Sequence, residues 1–335
     1  MTSLLKGKNV LITGGSGSIG KALAKKALSD GAKTVKIFSN DENGQYEVEQ
    51  AIGHDKRVIF IIGDIRDEGR VNHVAKGVDI IFHTAALKHV DRCEHNPFEA
   101  VTVNILGTKN IITAAFRENV KKVISISTDK AVNPASVMGG TKLLAEKLIS
   151  AEIFHHNSDT VFASVRFGNV LNTRGSILPH IEKQIRDGGP ITLTDERMIR
   201  YFMTQEDAVN LIISAAEIAK GGEVFVLKMP LIRLKDLFEE MKNILAPKYG
   251  FKTSQIKTKI IGMKPGEKLI EELLNGFEIE HVLETPDFFI IPPGLDITKK
   301  KNYPGARKPK NIKSFMEDMK PLEKKQVAEM LKKIY

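Results

Sequence analysis

Asp129 and Lys130 stand side by side in the stretch Ser127-Thr128-Asp129-Lys130-Ala131-Val132-Asn133-Pro134. One is a potential acid and the other a potential base, so a site built around them can both deliver and remove a proton. An isolated Asp-Lys pair is more often a solvated turn. Here it closes an apolar run, Lys122–Thr128, that reads as a strand. Ligands of open α/β sheets bind beyond the carboxyl ends of the strands, which is where this pair falls.

A second group with chemical meaning lies near the N-terminus, in Thr13-Gly14-Gly15-Ser16-Gly17-Ser18-Ile19-Gly20. Glycines at 14, 17 and 20 sit between a strand and a helix. They let backbone approach a pyrophosphate and let the helix pack closely on the strand. The helix N-terminus then offers free N–H groups and partial positive charge. A glycine triplet alone is weak, but the strand–loop–helix context is the confirming one.

The elements that must position these groups alternate. Asn9–Thr13, Thr34–Ser39, Arg57–Asp64, Asp79–Ala85, Lys122–Thr128 and Val161–Arg166 read as strands. Their near-continuous apolar character suits strands covered on both faces. Helical patterns occupy Ser18–Ser29, Pro97–Val120 and about Gly139 to His155. The alternation predicts an α/β protein, a Rossmann-type doubly wound parallel sheet with a smaller C-terminal α/β substrate-binding lobe. Residues 1–168 form the expected dinucleotide domain, with 203–228 (helix Gln205–Ala219, strand Glu223–Lys228) returning to it. Residues 169–202 and 229–298 form the expected lobe, suggested by Leu234–Leu245, Lys257–Met263 and Lys268–Leu274. Arg174–Pro179 reads as irregular, and 299–335 as a basic tail.

Composition narrows the function classes. The chain has 335 residues, 42% hydrophobic and 27% charged, as globular proteins do. One cysteine, Cys93, excludes an internal disulfide and points to a reducing compartment; it reads as a bystander. No apolar run approaches a membrane span, and the N-terminus lacks a secretory pattern. The net charge of +9 invites a nucleic-acid reading. Residues 296–335, however, hold 12 Lys and Arg against 5 Asp and Glu, leaving only +2 for the rest. The basicity therefore belongs to the tail, with subunit packing or an acidic surface as its expected use. Neither nucleic acid, stable membrane insertion nor a metal is expected.

The Gly-x-x-Gly-x-x-Gly spacing resembles the extended short-chain dehydrogenase/reductase superfamily. Asp64-Ile65 matches its adenine-contacting pair, Ala85-Ala86 its loop beside the cofactor ribose, and Asn104 the asparagine of the following helix. Members normally carry Tyr-x-x-x-Lys where this chain has Met138 to Lys142. Lys142 remains, but methionine moves no protons. Acid–base work must have moved, and Asp129 and Lys130 supply a place for it.

Within that superfamily the Ser-Thr-Asp-Lys-Ala stretch, the proline and Met-Gly-x-x-Lys resemble the UDP-N-acetylglucosamine 4,6-dehydratases of polysaccharide biosynthesis, in their Met-bearing subgroup. Ala85-Ala86-Leu87-Lys88-His89-Val90, Phe167-Gly168-Asn169-Val170, Arg174-Gly175-Ser176 with Pro179, Thr194-Asp195, Arg200-Tyr201 and Lys264-Pro265-Gly266-Glu267-Lys268 follow in order. The resemblance implies a cytoplasmic, homo-oligomeric hydro-lyase acting on a UDP-sugar, with a tightly bound, recycled NADP. Ser39 matches the NADP-binding relatives, whereas Asn40 stands where many have arginine, so NAD is the alternative.

The implied cofactor contacts are the loop from Thr13 and Gly14 through Ser16, Gly17, Ser18, Ile19 and Gly20. Ser39, Asn40, Asp64, Ile65, Ala85, Ala86, Lys88 and Asn104 add to it, with Lys142 on the nicotinamide ribose. Substrate contacts fall to Lys88, Asn169, Gly175, Ser176, Pro179, Thr194 and Glu267, with Arg200 and Lys264 on the diphosphate. Asp129 is the implied acid for the departing 6-hydroxyl and Lys130 the base at C5. Thr128 or Lys130 takes the C4 hydroxyl proton, and Met138 marks the vacated tyrosine position. For Lys130 to be neutral, its pKa is expected to fall, through desolvation or the charges of Lys88 and Lys142. The soluble, Met-bearing pattern points to inversion at C5. Alternatives are a C5-retaining dehydratase, a UDP-sugar 4-epimerase, or a non-catalytic NADP-sensing regulator.

Overall fold

The computed structural model describes residues 3–155, 159–293, 302–309, 312 and 319–335. Six strands alternate with helices through the first half: β1 (Asn9–Thr13), β2 (Thr34–Ser39), β3 (Val58–Ile62), β4 (Ile80–His83), β5 (Lys122–Thr128) and β6 (Val161–Phe167). Between them run α1 (Ser18–Ser29), α2 (Glu42–Ile52), α3 (Glu68–Ala75), α4 (Val90–His95), α5 (Pro97–Val101), α6 (Gly107–Arg117) and α7 (Val137–His155). The second half supplies β7 (Asn169–Val170), α8 (Ile177–Arg186), β8 (Ile191–Leu193), β9 (Ile199–Met203), α9 (Gln205–Ile218), β10 (Val224–Leu227), β11 (Leu231–Arg233), α10 (Leu234–Lys248), β12 (Thr258–Ile260), α11 (Gly276–His281), β13 (Leu283–Glu284) and β14 (Phe288–Ile291).

Among the described residues the main sheet has the order β13-β14-β10-β6-β5-β4-β1-β2-β3. Every pairing from β10 to β3 is parallel; β14 and β13 close the edge antiparallel. The chain reverses its direction of winding between β1 and β4, so a crevice opens there above the strand ends. Both faces of the sheet are covered. Val10 and Ile12 of β1 pack toward Leu23, Ala24 and Val35, while Leu11 packs toward Val71, Ile81 and Ile111.

Two smaller sheets, β11-β9-β7 and β12-β8, carry the lobe. Its core joins Leu178, Ile181 and Ile185 of α8 to Leu237 and Met241 of α10.

Several local expectations change. The helical pattern of Pro97–Val120 is broken by a π turn over Thr102–Leu106, which widens the helix at Asn104. α2, α3 and α8 occupy stretches that read as connections. α8 escaped because Gly175 and Pro179 read as breakers; Pro179 is its third residue, in the first turn, where a missing N–H costs nothing. Lys257–Met263 shortens to β12, whose residues are exposed. Lys268–Leu274 forms no regular helix or strand; one bridge ties Ile270 to Ile199. Phe288–Ile291, expected in the lobe, pairs with β10 instead, because Phe288, Phe289 and Ile290 are buried at the sheet.

The tail is less free than its charge suggests. Lys299–Lys301 lie outside the described residues. Tyr303, however, is buried and donates its hydroxyl to Glu223 Oε1 at 2.8 Å. The C-terminal helix Lys324–Lys332 lays Val327 and Leu331 into the lobe core. No helix among the described residues is long and apolar enough to cross a membrane.

His83, at the end of β4, is fixed between two hydroxyls: Nδ1 is 2.7 Å from Thr13 Oγ1 and Nε2 is 3.1 Å from Thr108 Oγ1. Burial, with the Lys142 charge as a lesser cause, pushes its pKa down to about 3. The unfolded chain protonates this histidine near its ordinary value, so its contribution is complete above about pH 6.5 and is lost as pH falls toward the folded value. His83→Gln should therefore flatten the acid side of the stability curve. Urea midpoints of the two proteins from neutral pH to about pH 4 test this, the wild type losing on the order of a few kcal/mol more. Parallel curves would contradict it.

Candidate active site

A cavity of about 770 Å³ runs along the carboxyl ends of the strands. Each strand hands its terminal residues to the wall. β1 leads to Gly14, β2 ends at Ser39 and β3 leads to Asp64. β4 leads to Ala85, β5 ends at Thr128 and β6 is followed by Asn169. The lobe closes the other side with Gly175, Ser176, Thr194, Arg200 and Glu267.

At one end the glycine loop forms a cradle. A Cβ on Gly14 would come within 2.7 Å of the Ala85 backbone, and Gly14 has φ +65. A Cβ on Gly20 would lie 2.6 Å from Gly14 O. The loop, helix and β4 turn are thus in backbone contact, and the space left above them is backbone-lined. Gly17 caps α1 with no side chain over its first N–H groups. Ser16, Ser18, Ile19 and Ala86 join this wall. Farther out, Ser39 Oγ is 2.7 Å from Ser16 Oγ, and Asn40 Nδ2 donates to Asp64 Oδ2 at 3.0 Å. Ile65 and Lys142 complete the expected contacts on the wall. These features fit a dinucleotide.

The segment after β7 crosses to this end of the cavity. Arg174 N–H donates to Ser18 Oγ at 2.9 Å, and its guanidinium pairs with Asp41 at 2.6 Å. Lys88 Nζ donates to Arg174 O at 2.7 Å. Partial desolvation and the Arg174 charge draw the Lys88 pKa down. Neither Arg174 nor Asp41 was assigned a role from the sequence. Their pairing joins positions far apart in the chain.

At the other end lies the acid–base group. Asp129 is completely buried. Its Oδ1 accepts from Thr128 Oγ1 and from Lys130 Nζ, both at 2.9 Å. Thr128 and Lys130 line the cavity, so each links it to Asp129. Met138 forms the adjoining apolar wall with buried Cys93 and Ala100 behind it. Burial, with Glu94 and Asp91 nearby, raises the Cys93 pKa, which makes it an inert thiol. Lys142 donates to Ile126 O at 2.5 Å, and burial brings its pKa down to about 8 despite Glu146.

Lys130 departs from expectation. Burial lowers its pKa, but the carboxylates of Asp129 and Glu271 outweigh that and raise it overall. Lys88 and Lys142 do not govern it. Lys130 is therefore an ammonium at neutral pH.

Several expected contacts stand elsewhere. Thr13 is buried and spends its hydroxyl on His83. Asn104 grips the Leu87 backbone through both N–H and C=O, at 2.8 and 3.0 Å, and so positions the 85–88 loop without lining the cavity. Pro179 stays in the first turn of α8, outside the lining. Lys264 is exposed and also outside it. Arg200 lines the cavity but gives Nη1 to Ile199 O and Leu269 O, and Nη2 to Lys268 O, at 2.7–2.9 Å. Its Nη1 and Nη2 are thus engaged on backbone carbonyls. Glu271, absent from the expected set, lines the cavity and is buried. In the string Ile270-Glu271-Glu272-Leu273 nothing separates a buried carboxylate from its solvated neighbour.

The sequence profile of a polysaccharide biosynthesis protein family matches residues 10–293. The chain belongs to that family. It is 47% identical over 336 residues to an uncharacterized membrane protein of Methanocaldococcus jannaschii, covering all of this chain and 98% of that one. It is 37% identical over 298 residues to the UDP-N-acetylglucosamine 4,6-dehydratase (inverting) of Campylobacter jejuni, covering 88% of this chain and 86% of that enzyme. The X-ray structure of Pen from Bacillus thuringiensis superposes with a TM-score of 0.89 at 42% identity, over 98% of both chains. Relatives of similar identity also include UDP-glucose 4-epimerases.

Proposed function

We propose that the protein is a hydro-lyase that converts UDP-N-acetylglucosamine to a UDP-4-keto-6-deoxy sugar with inversion at C5, in the cytoplasm, for surface polysaccharide or glycan synthesis. The observation that carries this reading is Asp129, a buried carboxylate reached from the cavity through one hydroxyl and one ammonium. A 4-epimerase needs to move a hydride and one hydroxyl proton; it has no use for an acid–base pair that expels water.

When bound, a nicotinamide cofactor supplies a store that takes the C4 hydride and yields it to C6, so no net oxidation results. The cradle from Gly14 to Gly20, Ser39, Asn40, Asp64 and Ala85 would hold it, and Lys142 would hold its ribose. Ser39 in place of an acid at the end of β2 favours NADP. The pairing of Asp41 with Arg174 supports that preference, because it offsets a carboxylate charge on the same wall.

The residues of the chain carry the protons. Thr128 lies between the cavity and Asp129, so the C4 hydroxyl proton passes through its hydroxyl to Asp129. Asp129 returns that proton by the same route to the departing 6-hydroxyl, which leaves as water. Lys130 takes the C5 proton, which the ketone at C4 has made acidic, and passes it to solvent; after hydride returns to C6, a solvent-derived proton adds at C5 from the opposite face, which inverts that centre. Because Lys130 starts as an ammonium, it must first lose a proton. The C5 step is thus expected to quicken as pH rises toward the raised lysine value.

Incubation with UDP-N-acetylglucosamine tests the reading by product mass. Loss of one water is expected. Unchanged mass with altered C4 configuration would assign the epimerase instead.

A further inference from the structure

Glu271 lies in the 268–274 segment, which the other members of the acid–base group do not share. It is 3% exposed, and its Oε1 is 3.6 Å from Lys130 Nζ, whose other carboxylate partner is Asp129. Its Oε2 is buried and makes no hydrogen bond among the described residues. A carboxylate buried this deeply requires an opposite charge, and Lys130 supplies it. The neighbouring acid is different. Glu272 is half exposed, accepts from Asn133 Nδ2 at 3.0 Å and pairs with Lys268 at 3.7 Å. The segment is also fastened by Lys268 Nζ to Val132 O and by Arg200 to two carbonyls. Fastening the segment is thus the work of its neighbours, and Glu271 is left facing the ammonium.

We propose that Glu271 is a positioning residue of the acid–base group, the second carboxylate that seats the Lys130 ammonium between two elements at the cavity wall. The role deepens the dehydratase reading and rests on it for its use. It has a consequence for order: Lys130 is held charged by two carboxylates, so its deprotonation becomes a separate event before the C5 step. The groups facing Lys130 are Asp129 beside it, Glu271 from the 268–274 segment, and Arg200 from β9, whose charge opposes the carboxylates. Tyr201 of β9 lies near Asp129 and Glu272, which with burial raise its pKa to about 12, so it stays neutral. Met138 and Lys142 face the site from α7.

The test titrates Lys130 directly, through its ¹³Cε resonance in ¹³C-lysine protein, identified by its loss in Lys130→Arg. Glu271→Gln removes one raising charge, so the midpoint should fall by about one pH unit. Glu271→Asp should keep most of the elevation, and Glu272→Gln should leave the midpoint in place. With UDP-N-acetylglucosamine, the acid limb of C5 solvent exchange should move to lower pH in Glu271→Gln by the same interval. An unchanged Lys130 midpoint in Glu271→Gln overturns the proposal. If the wild type forms no dehydrated product, the dehydratase reading fails, while the titration still judges Glu271.

Discussion

Lys130→Met is expected to stop incorporation of solvent deuterium at C5 and to lower turnover roughly a hundred- to ten-thousand-fold, the usual range for a removed general base. Methionine keeps most of the apolar stem and is one atom shorter. It loses the three N–H donors, of which one binds Asp129 at 2.9 Å and another faces Glu271. Two buried carboxylates are then left together, so the variant should also be less stable. Lys130→Gln retains a donor for Asp129 and provides the control for that effect; it too should lack C5 exchange. On the proposed route hydride removal at C4 does not use Lys130, so reversible loss of the C4 hydrogen should survive in both variants. Retained C5 exchange in a folded variant would remove Lys130 from the base role.

The second large effect concerns stability. Arg166 of β6 is 1% exposed and holds two carboxylates at once. Its Nε and Nη2 meet Glu146 of α7 at 3.0 and 2.6 Å; Nη1 and Nη2 meet Glu278 of α11 at 2.9 Å each. Nη1 also donates to Leu273 O at 2.9 Å. The paired carboxylates, against the opposing cost of burial, hold the guanidinium charged. One side chain thus joins the main sheet, the helix carrying Met138 and Lys142, and the segment carrying Glu271. Arg166→Met should cost about 3–5 kcal/mol, because both carboxylates lose their partner inside the protein. The triple variant Arg166→Met, Glu146→Gln, Glu278→Gln removes those charges and should recover a large part of the loss. Urea unfolding measures both. Equal destabilisation of the single and triple variants would show that packing, and not stranded charge, sets the cost.

The parts of this protein that were readable from its residues are those fixed by local pattern. β1, β2 and β5 were read to their ends because apolar runs between turn residues leave little choice. The glycine loop and the Asp129-Lys130 pair were legible because each sits at a strand end, where topology alone brings ligands. What stayed hidden depends on contacts between distant segments. Glu271 meets Lys130 across more than a hundred residues of chain. The bonds from Arg200 to the carbonyls of Lys268 and Leu269 join positions nearly seventy residues apart. The charge of Lys130 follows from the same meeting: two carboxylates raise it, and only one was visible next to it in the chain. Phe288–Ile291 reads equally well as a strand of either region, and its place at β10 follows from the core it fills.

On the proposed route the Asp129-Lys130 pair expels water while a hydride is held in store. UDP-N-acetylglucosamine deuterated at C4 tests it most directly. Proton NMR of the product should place that deuterium in the C6 methyl group and a solvent hydrogen at C5, with one water lost. Deuterium found again at C4, on a sugar that has kept its 6-hydroxyl, would contradict it.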